Sequence, residues 1–128
     1  MVSRKVINKC KKLLTEYNVK FHFVKGIEGA LGICNCKKNT VWIDRNQTDD
    51  AFITTVFHEL QHILNYRNKV YYEFHKYENK KLVKKYALRA EVYTDKQAKI
   101  LARKHGFKRY KVTYEMNDFW REMIKEYY

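Results

Sequence analysis

Residues 48 to 64 read TDDAFITTVFHELQHIL. Apolar residues recur in this stretch at spacings of three and four, which is typical of a helix whose broad apolar side packs into a core. The stripe consists of Phe52, Val56, Leu60 and Ile63, with Ile53, Phe57 and Leu64 in the neighbouring row. Thr48 supplies a hydroxyl that caps such a helix, and Asp49 and Asp50 place negative charge at its positive end. The stretch therefore predicts a buried, well-anchored helix.

The same helix carries the segment His58-Glu59-Leu60-Gln61-His62, an H-E-x-x-H pattern. Residues four apart lie one turn above each other, so both imidazoles project from one face and can bind a single metal ion. Glu59 stands where a carboxylate can take a proton from metal-bound water, which is the chemistry of a hydrolase. A shuffled chain of this composition contains the pattern about once in a hundred. The alternative, a surface helix with two solvated histidines, conflicts with the apolar stripe.

A catalytic zinc site takes three protein ligands and keeps one position for water, so the segment needs a third ligand from elsewhere. A histidine six residues after His62 is absent, because that residue is Asn68. Glu91 lies on the next predicted helix, and Asp95 follows four residues later on the same face. We predict that Glu91 is the third ligand and that Asp95 accepts the free N–H of His58, which fixes the ring plane.

Two other interpretations of these residues stay open. His75, in an irregular connection, and His105, at a helix end, are alternative third ligands. Glu91 and Asp95 are also compatible with solvated acids on a basic helix, paired with nearby cations. Those cations are Arg89, Lys96 and Lys99. The presence of the histidine helix favours the metal site.

Periodicity and turn residues predict an α+β chain. A first amphipathic helix, with Cys10 on its inner face, precedes a strand that alternates between buried and exposed residues and a hairpin around Lys37-Lys38-Asn39. The metal-ligand helix is followed by a long connection and two further helices. The predicted bounds are Ser3 to Tyr17, Val19 to Val24, Leu31 to Cys36, Thr40 to Asp44, a connection from Asn65 to Lys81, a helix from Lys81 to His105-Gly106, and a last helix from Glu115 to Tyr127.

From about Leu31 to Ala98 the chain resembles the small zincin peptidases of the ImmA/IrrE type, which occur in mobile elements and bacterial stress regulation. In that family the helix commonly reads H-E-L-G-H and the later block E-x-x-A-D. This chain has Gln61 in place of the glycine and Thr94 in place of the alanine. The resemblance implies a minimal zincin fold over residues 1–128 as one domain, with a small antiparallel sheet of about three strands, the motif helix packed on a second metal-ligand helix, and a C-terminal helix.

The function that the resemblance implies is hydrolysis of a peptide bond in a protein substrate, such as a DNA-binding repressor or regulator. One Zn²⁺ per chain is implied, held by His58, His62 and Glu91. Glu59 is then expected to activate the zinc-bound water and to pass its proton to the leaving amine. The alternative function is a zincin scaffold that acts as a regulatory or counter-defence protein of a mobile element, by protein or nucleic-acid binding without proteolysis.

Two further parts of a peptidase site are predicted less sharply. A peptidase needs a hydrogen-bond donor that stabilises the oxyanion of the transition state. Four residues are candidates, and the sequence does not distinguish between them: Tyr71, Tyr72, Tyr93 and His75. The strand from Val41 to Asp44 is expected to pair with an extended substrate by backbone hydrogen bonds, and its other interpretation is an ordinary sheet edge.

Charge and cysteine content limit the partners and the compartment. Lys and Arg total 27 against 14 acids, a formal charge of +13 that favours acidic partners such as nucleic acid. The basic residues are scattered along the chain, so an incidental solvated surface is the alternative. Three cysteines, an odd number, are expected to be free thiols. No apolar run approaches the length of a membrane span or a secretion signal, so we expect a cytoplasmic protein without membrane contact.

Overall fold

The computed structural model describes residues 1–69 and 80–111, without the side chains of 80–88. These residues form three helices and a three-stranded sheet, which confirms the α+β prediction. The elements are α1 (Arg4–Glu16), β1 (Lys20–Val24), β2 (Gly32–Asn35), β3 (Thr40–Asp44), α2 (Asp49–Arg67) and α3 (Lys80–Lys104). The predicted last helix, and the candidates Tyr71, Tyr72 and His75, lie outside the described residues. Within these ranges no helix combines the length and the apolar character needed to cross a bilayer.

The sheet has the strand order β1-β3-β2, so β3 is the central strand. β2 and β3 pair antiparallel, as the predicted hairpin requires, but β1 and β3 pair parallel. The prediction of an antiparallel sheet is therefore wrong for this pair. After β1 the chain skips the neighbouring place in the sheet and forms β2 one place further away. The hairpin then places β3 between β1 and β2, in the same direction as β1. Because β3 is paired on both sides, the prediction that it binds substrate along its edge is also wrong.

One face of the sheet packs on α2, and α1 packs beside them. The N-cap predicted at Thr48 is confirmed, because its side chain accepts a hydrogen bond from the backbone N–H of Ala51. Ser3 caps α1 and also binds Asp49, so the starts of both helices are tied together. The core consists chiefly of Ile7, Cys10, Leu14, Val41, Ile43, Phe52, Val56, Leu60, Ile63, Ala98 and Ala102. The helix stripe predicted from residues 52 to 64 is thus the centre of this core.

Helix α2 is longer than its apolar pattern predicts, because it continues to Arg67. Asn65, where the connection was expected to begin, is buried instead of solvated. The guanidinium of Arg67 donates to the carbonyl oxygens of Tyr17 (2.6 Å) and Asn18 (3.0 Å), at the end of α1. These polar contacts stabilise the last turn of α2.

Gly32, at the start of β2, marks the closest approach of the sheet to α2. A Cβ atom at this position would lie 2.6 Å from Thr55 Cγ2 and 3.0 Å from Glu59 Cγ. The Thr55 methyl has little freedom to move, because its hydroxyl lies 2.8 Å from the Ala51 carbonyl oxygen and 3.0 Å from Gln47 Oε1. Glycine at position 32 therefore lets β2 lie directly over the part of α2 that carries Glu59.

We expect Gly32→Ala to destabilise the fold by about 1 to 3 kcal/mol, because the added methyl overpacks the contact with α2. Urea unfolding of the wild type and the variant measures this change. Gly29→Ala is the control for backbone effects, since Gly29 has positive φ and open space around it. A Gly32→Ala protein as stable as the wild type would contradict the close packing of β2 on α2.

Candidate metal centre

Packing of α2 against α3 brings three side chains with metal-binding atoms together. Glu91 Oε2 lies 2.9 Å from His58 Nε2, and Glu91 Oε1 lies 3.2 Å from His62 Nε2. The two Nε2 atoms are 3.1 Å apart. The histidines come from successive turns of α2, and the carboxylate comes from α3. The three residues predicted as ligands from the sequence thus form one group in the fold, and this group could hold a metal ion.

The chemistry and the spacing of this group fit a zinc ion. Two imidazole nitrogens and one carboxylate form a donor set typical of catalytic zinc sites. With bonds of about 2.0 to 2.1 Å, tetrahedral ligand atoms lie about 3.3 Å apart. The observed separations, from 2.9 to 3.2 Å, are close to that value. Among residues 1–69 and 80–111 these are the three candidate ligands, which would leave one of four positions for water or substrate.

Asp95 orients the first histidine. Its Oδ1 lies 2.7 Å from His58 Nδ1, and its side chain is 1 % exposed. With a metal ion bound, the neutral ring would carry its hydrogen on Nδ1, facing Asp95, and would direct the lone pair of Nε2 toward the ion. A cation between His58, His62 and Glu91 removes the repulsion between these lone pairs and the carboxylate oxygens.

When no metal cation is present, a proton removes the same repulsion between the three side chains. Burial alone lowers the pKa of His58, but hydrogen bonds to Asp95 and Glu91 outweigh it and raise the pKa to about 10. Burial also opposes the shift at His62, whose pKa is nevertheless raised by Glu91. Burial raises the pKa of Glu91, but the two histidines together hold it well below its usual range. The side chains of His58, His62 and Glu91 together therefore stabilise a positive charge between them.

Tyr110 is a member of the centre that sequence reasoning missed. Its hydroxyl donates to Asp95 Oδ1 at 2.7 Å, the same oxygen that His58 Nδ1 contacts. Tyr110 is 6 % exposed, and burial together with the charge of Asp95 raises the pKa of its phenol. It lies beyond α3 in a segment without apolar period, so nothing local in the sequence distinguishes it from the other ten tyrosines.

We expect Tyr110→Phe to weaken zinc binding by up to about tenfold, because it removes a hydrogen bond that helps to hold Asp95 against His58. Competition with a chromophoric chelator measures the affinity, and Tyr93→Phe on α3 is the matched control. A merely structural role for Tyr110 would lower the stability of the metal-free and zinc-loaded proteins equally. Equal losses with unchanged affinity would contradict the positioning role.

Glu59, next to His58 on α2, does not join the group of three donors. It is 7 % exposed and lies beneath β2, against the backbone of Gly32. The thiol of Cys34 on the same strand is close enough to be affected: hydrogen bonding to Cys36, burial and the negative charge of Glu59 all raise its pKa. A second carboxylate is thus buried beside the centre without being one of its ligands.

Two hydrogen bonds connect Gln61 on α2 with Thr94 on α3 through Asn65. Gln61 donates to Asn65 Oδ1 at 2.9 Å, and Asn65 donates to Thr94 Oγ1 at 3.4 Å. Asn65 and Thr94 are both buried. The hydrogen bonds link α2 to α3 one turn from the donors and hold the two helices in register.

The structure bears on the alternative interpretations of the acids on α3 and of the competing third ligands. His105 lies at the end of α3, where its Nε2 is 2.8 Å from the Tyr17 hydroxyl and its ring packs on Phe57, so it is not part of the donor group. Asp95 is buried, which contradicts the interpretation as a solvated acid. Glu91 contacts both histidines. His75 lies outside the described residues.

Comparisons of the chain with protein-family models, with curated proteins and with solved structures find no significant match. The resemblance to ImmA/IrrE-type peptidases therefore stays a prediction from the motif. The functional argument depends on the geometry of the centre itself.

Proposed function

We propose that this protein is a zinc-dependent peptidase that hydrolyses a peptide bond in a protein substrate. The observation that carries the proposal is the convergence of His58, His62 and Glu91, with Glu59 buried next to them on α2. Zinc, when bound, supplies a Lewis acid that polarises a carbonyl group and makes a water molecule more acidic. A purely structural zinc site has four protein ligands and no need for the additional carboxylate.

The role of Glu59 in this proposal is that of general base and then general acid. Its carboxylate accepts a proton from the attacking water and donates that proton to the leaving amine, so no net proton is consumed by the residue. Burial beneath β2 keeps the carboxylate from moving freely into solvent. His58 keeps its orientation during the reaction because Asp95 and Tyr110 hold its Nδ1 side.

The substrate is proposed to bind along β2. Within the described part of the sheet, β2 is paired on one side only, by β3, and its other edge has free backbone donors and acceptors. An extended peptide can pair with such an edge by main-chain hydrogen bonds. Because Gly32 of this strand touches Glu59, a peptide on the edge lies next to the centre. The exposed Leu31 and Ile33 offer apolar contacts to its side chains.

The substrate class that we propose is a DNA-binding repressor or regulator. This choice comes from the family resemblance. The formal charge of +13 is compatible with it, because a positive field favours approach to a protein bound on nucleic acid.

The test is a cleavage assay on a library of unstructured peptides, in which new N-termini are identified by mass spectrometry. The zinc-loaded protein is expected to cleave at defined sequences, a chelator is expected to stop cleavage, and added zinc is expected to restore it. Cleavage that continues unchanged in the chelator would show that the centre is not responsible. Absence of cleavage by the zinc-loaded protein, with retained binding to protein or nucleic acid, would favour the non-proteolytic alternative.

A further inference from the structure

Two cysteines lie next to the metal centre without belonging to it. Cys34 Sγ and Cys36 Sγ are 3.9 Å apart, and Cys36 Sγ lies 3.6 Å from the carbonyl oxygen of His62. Both side chains are half-buried, and both thiols are free. The third cysteine, Cys10, is buried on α1 in the core. The proposed hydrolysis uses none of these sulfur atoms.

The backbone at this pair allows the sulfur atoms to approach each other. Cys34 lies two residues after Gly32 on β2 and therefore faces α2, and the contact of Cys36 Sγ with the His62 carbonyl oxygen shows that Cys36 faces α2 too. Bond formation requires the sulfur atoms to move from 3.9 Å to about 2.05 Å. β2 ends at Asn35, and the ladder with β3 covers Gly32 to Asn35 only. Cys36 therefore lies in the turn and can shift without breaking a strand hydrogen bond.

We propose that Cys34 and Cys36 are a redox-active pair that a hydroperoxide converts into an intramolecular disulfide. The thiolate of one cysteine attacks a peroxide oxygen, and the O–O bond breaks to give a sulfenic acid and, for hydrogen peroxide, water. The thiol of the other cysteine then attacks the sulfenic sulfur and releases a second water. The two sulfur atoms are oxidised and the peroxide is reduced, so hydrogen peroxide and two thiols give one disulfide and two waters.

The disulfide acts on the metal centre through two contacts. Movement of Cys36 withdraws its sulfur from the His62 carbonyl, at a residue of the donor group. Movement of Cys34 displaces β2, whose Gly32 packs directly on Glu59. Oxidation therefore lowers the rate of peptide cleavage, and this consequence rests on the proposed function.

The chemistry is tested on the whole protein treated with hydrogen peroxide. Trypsin is expected to release residues 26 to 37 as one peptide containing both cysteines. We expect this peptide to lose two hydrogen atoms in mass, the thiols titrated after denaturation to fall from three to one per chain, and dithiothreitol to reverse both changes. Cys34→Ser and Cys36→Ser are each expected to stop at a sulfenic acid that dimedone traps. Cys10→Ala is the matched control and retains disulfide formation.

Three results would overturn the proposal: oxygen gain at residues 26 to 37 without hydrogen loss, disulfide-linked dimers, or equal oxidation of Cys10. These results concern sulfur chemistry alone, so they are independent of whether the protein cleaves peptides. If cleavage is observed, its rate is expected to fall on oxidation and recover on reduction in the wild type, and to remain unchanged in the Cys34→Ser/Cys36→Ser variant treated identically. An equal loss of cleavage rate in the double variant would show that peroxide acts on residues other than Cys34 and Cys36.

Discussion

Glu59→Gln is expected to lower the rate of peptide cleavage by about a hundredfold to ten-thousandfold, which is the usual contribution of a general acid–base residue. Glutamine has nearly the same shape but accepts no proton at neutral pH, so proton transfer from water to the amine is lost. Zinc binding is expected to stay near the wild-type level, because Glu59 is not one of the donors that converge in the centre.

The control for this substitution is Glu28→Gln, which makes the same chemical change on an exposed loop residue. Metal analysis, the free energy of unfolding and the cleavage rate are measured for all three proteins. A Glu59→Gln protein that binds zinc and still cleaves at the wild-type rate would remove Glu59 from the mechanism. If the biological effect of the protein survives the substitution while cleavage is lost, the protein acts through binding, which is the alternative function.

Purified protein is expected to bind one zinc ion per chain, and either His62→Ala or Glu91→Ala is expected to reduce the affinity by more than about a hundredfold. Loss of a partner outside the ligand set typically reduces metal affinity by about 10- to 100-fold, and loss of a ligand has a larger effect. At a zinc concentration of about a thousand times the Kd, binding stabilises the wild type by about 4 kcal/mol. At the same zinc concentration the two variants are expected to keep less than about 1.4 kcal/mol of this stabilisation.

Metal affinity is also expected to fall as the pH is lowered. In the metal-free protein the pKa of His58 is raised to about 10, so this ring is protonated at neutral pH and zinc must displace the proton. Below that pKa, each unit of decrease in pH costs about tenfold in affinity for one displaced proton. Titrations at several pH values measure this slope.

Three variants serve as controls for the metal experiments. His22→Ala removes an exposed histidine from β1, and Glu28→Ala removes an exposed carboxylate, so both are expected to keep the zinc affinity. His75→Ala tests the competing third ligand. Loss of zinc in the His75 variant together with retention in Glu91→Ala would contradict the assignment of Glu91.

Local sequence patterns were sufficient to predict the start and the buried side of α2 and the hairpin formed by β2 and β3. The start of α2 depends on a capping hydroxyl and two acids next to it, and its buried side depends on residues three and four apart. The turn between β2 and β3 depends on a few adjacent residues. The alternation in β1 is confirmed in the same way, since Phe21 and Phe23 are half-buried while Lys20 and His22 are exposed.

Gly32 shows where a local interpretation was incomplete. In the sequence it belongs to a group of glycines that indicates a flexible connection. In the fold it is the residue that allows β2 to approach Thr55 and Glu59. The requirement for glycine comes from atoms on another element, and no neighbour in the chain carries that information.

The sequence by itself determined the α+β class, the capped and buried helix α2, and the projection of His58 and His62 from one face, because each depends on residues within one or two turns. The spacing of Glu91 and Asp95, four residues apart on one helix, also allowed their contacts with the histidines to be predicted. Only the tertiary structure decided the parallel pairing of β1 with β3, the packing of Gly32 on α2 and the contact of Tyr110 with Asp95. These features depend on how separate elements pack together, and no motif or periodic spacing in the sequence marks them.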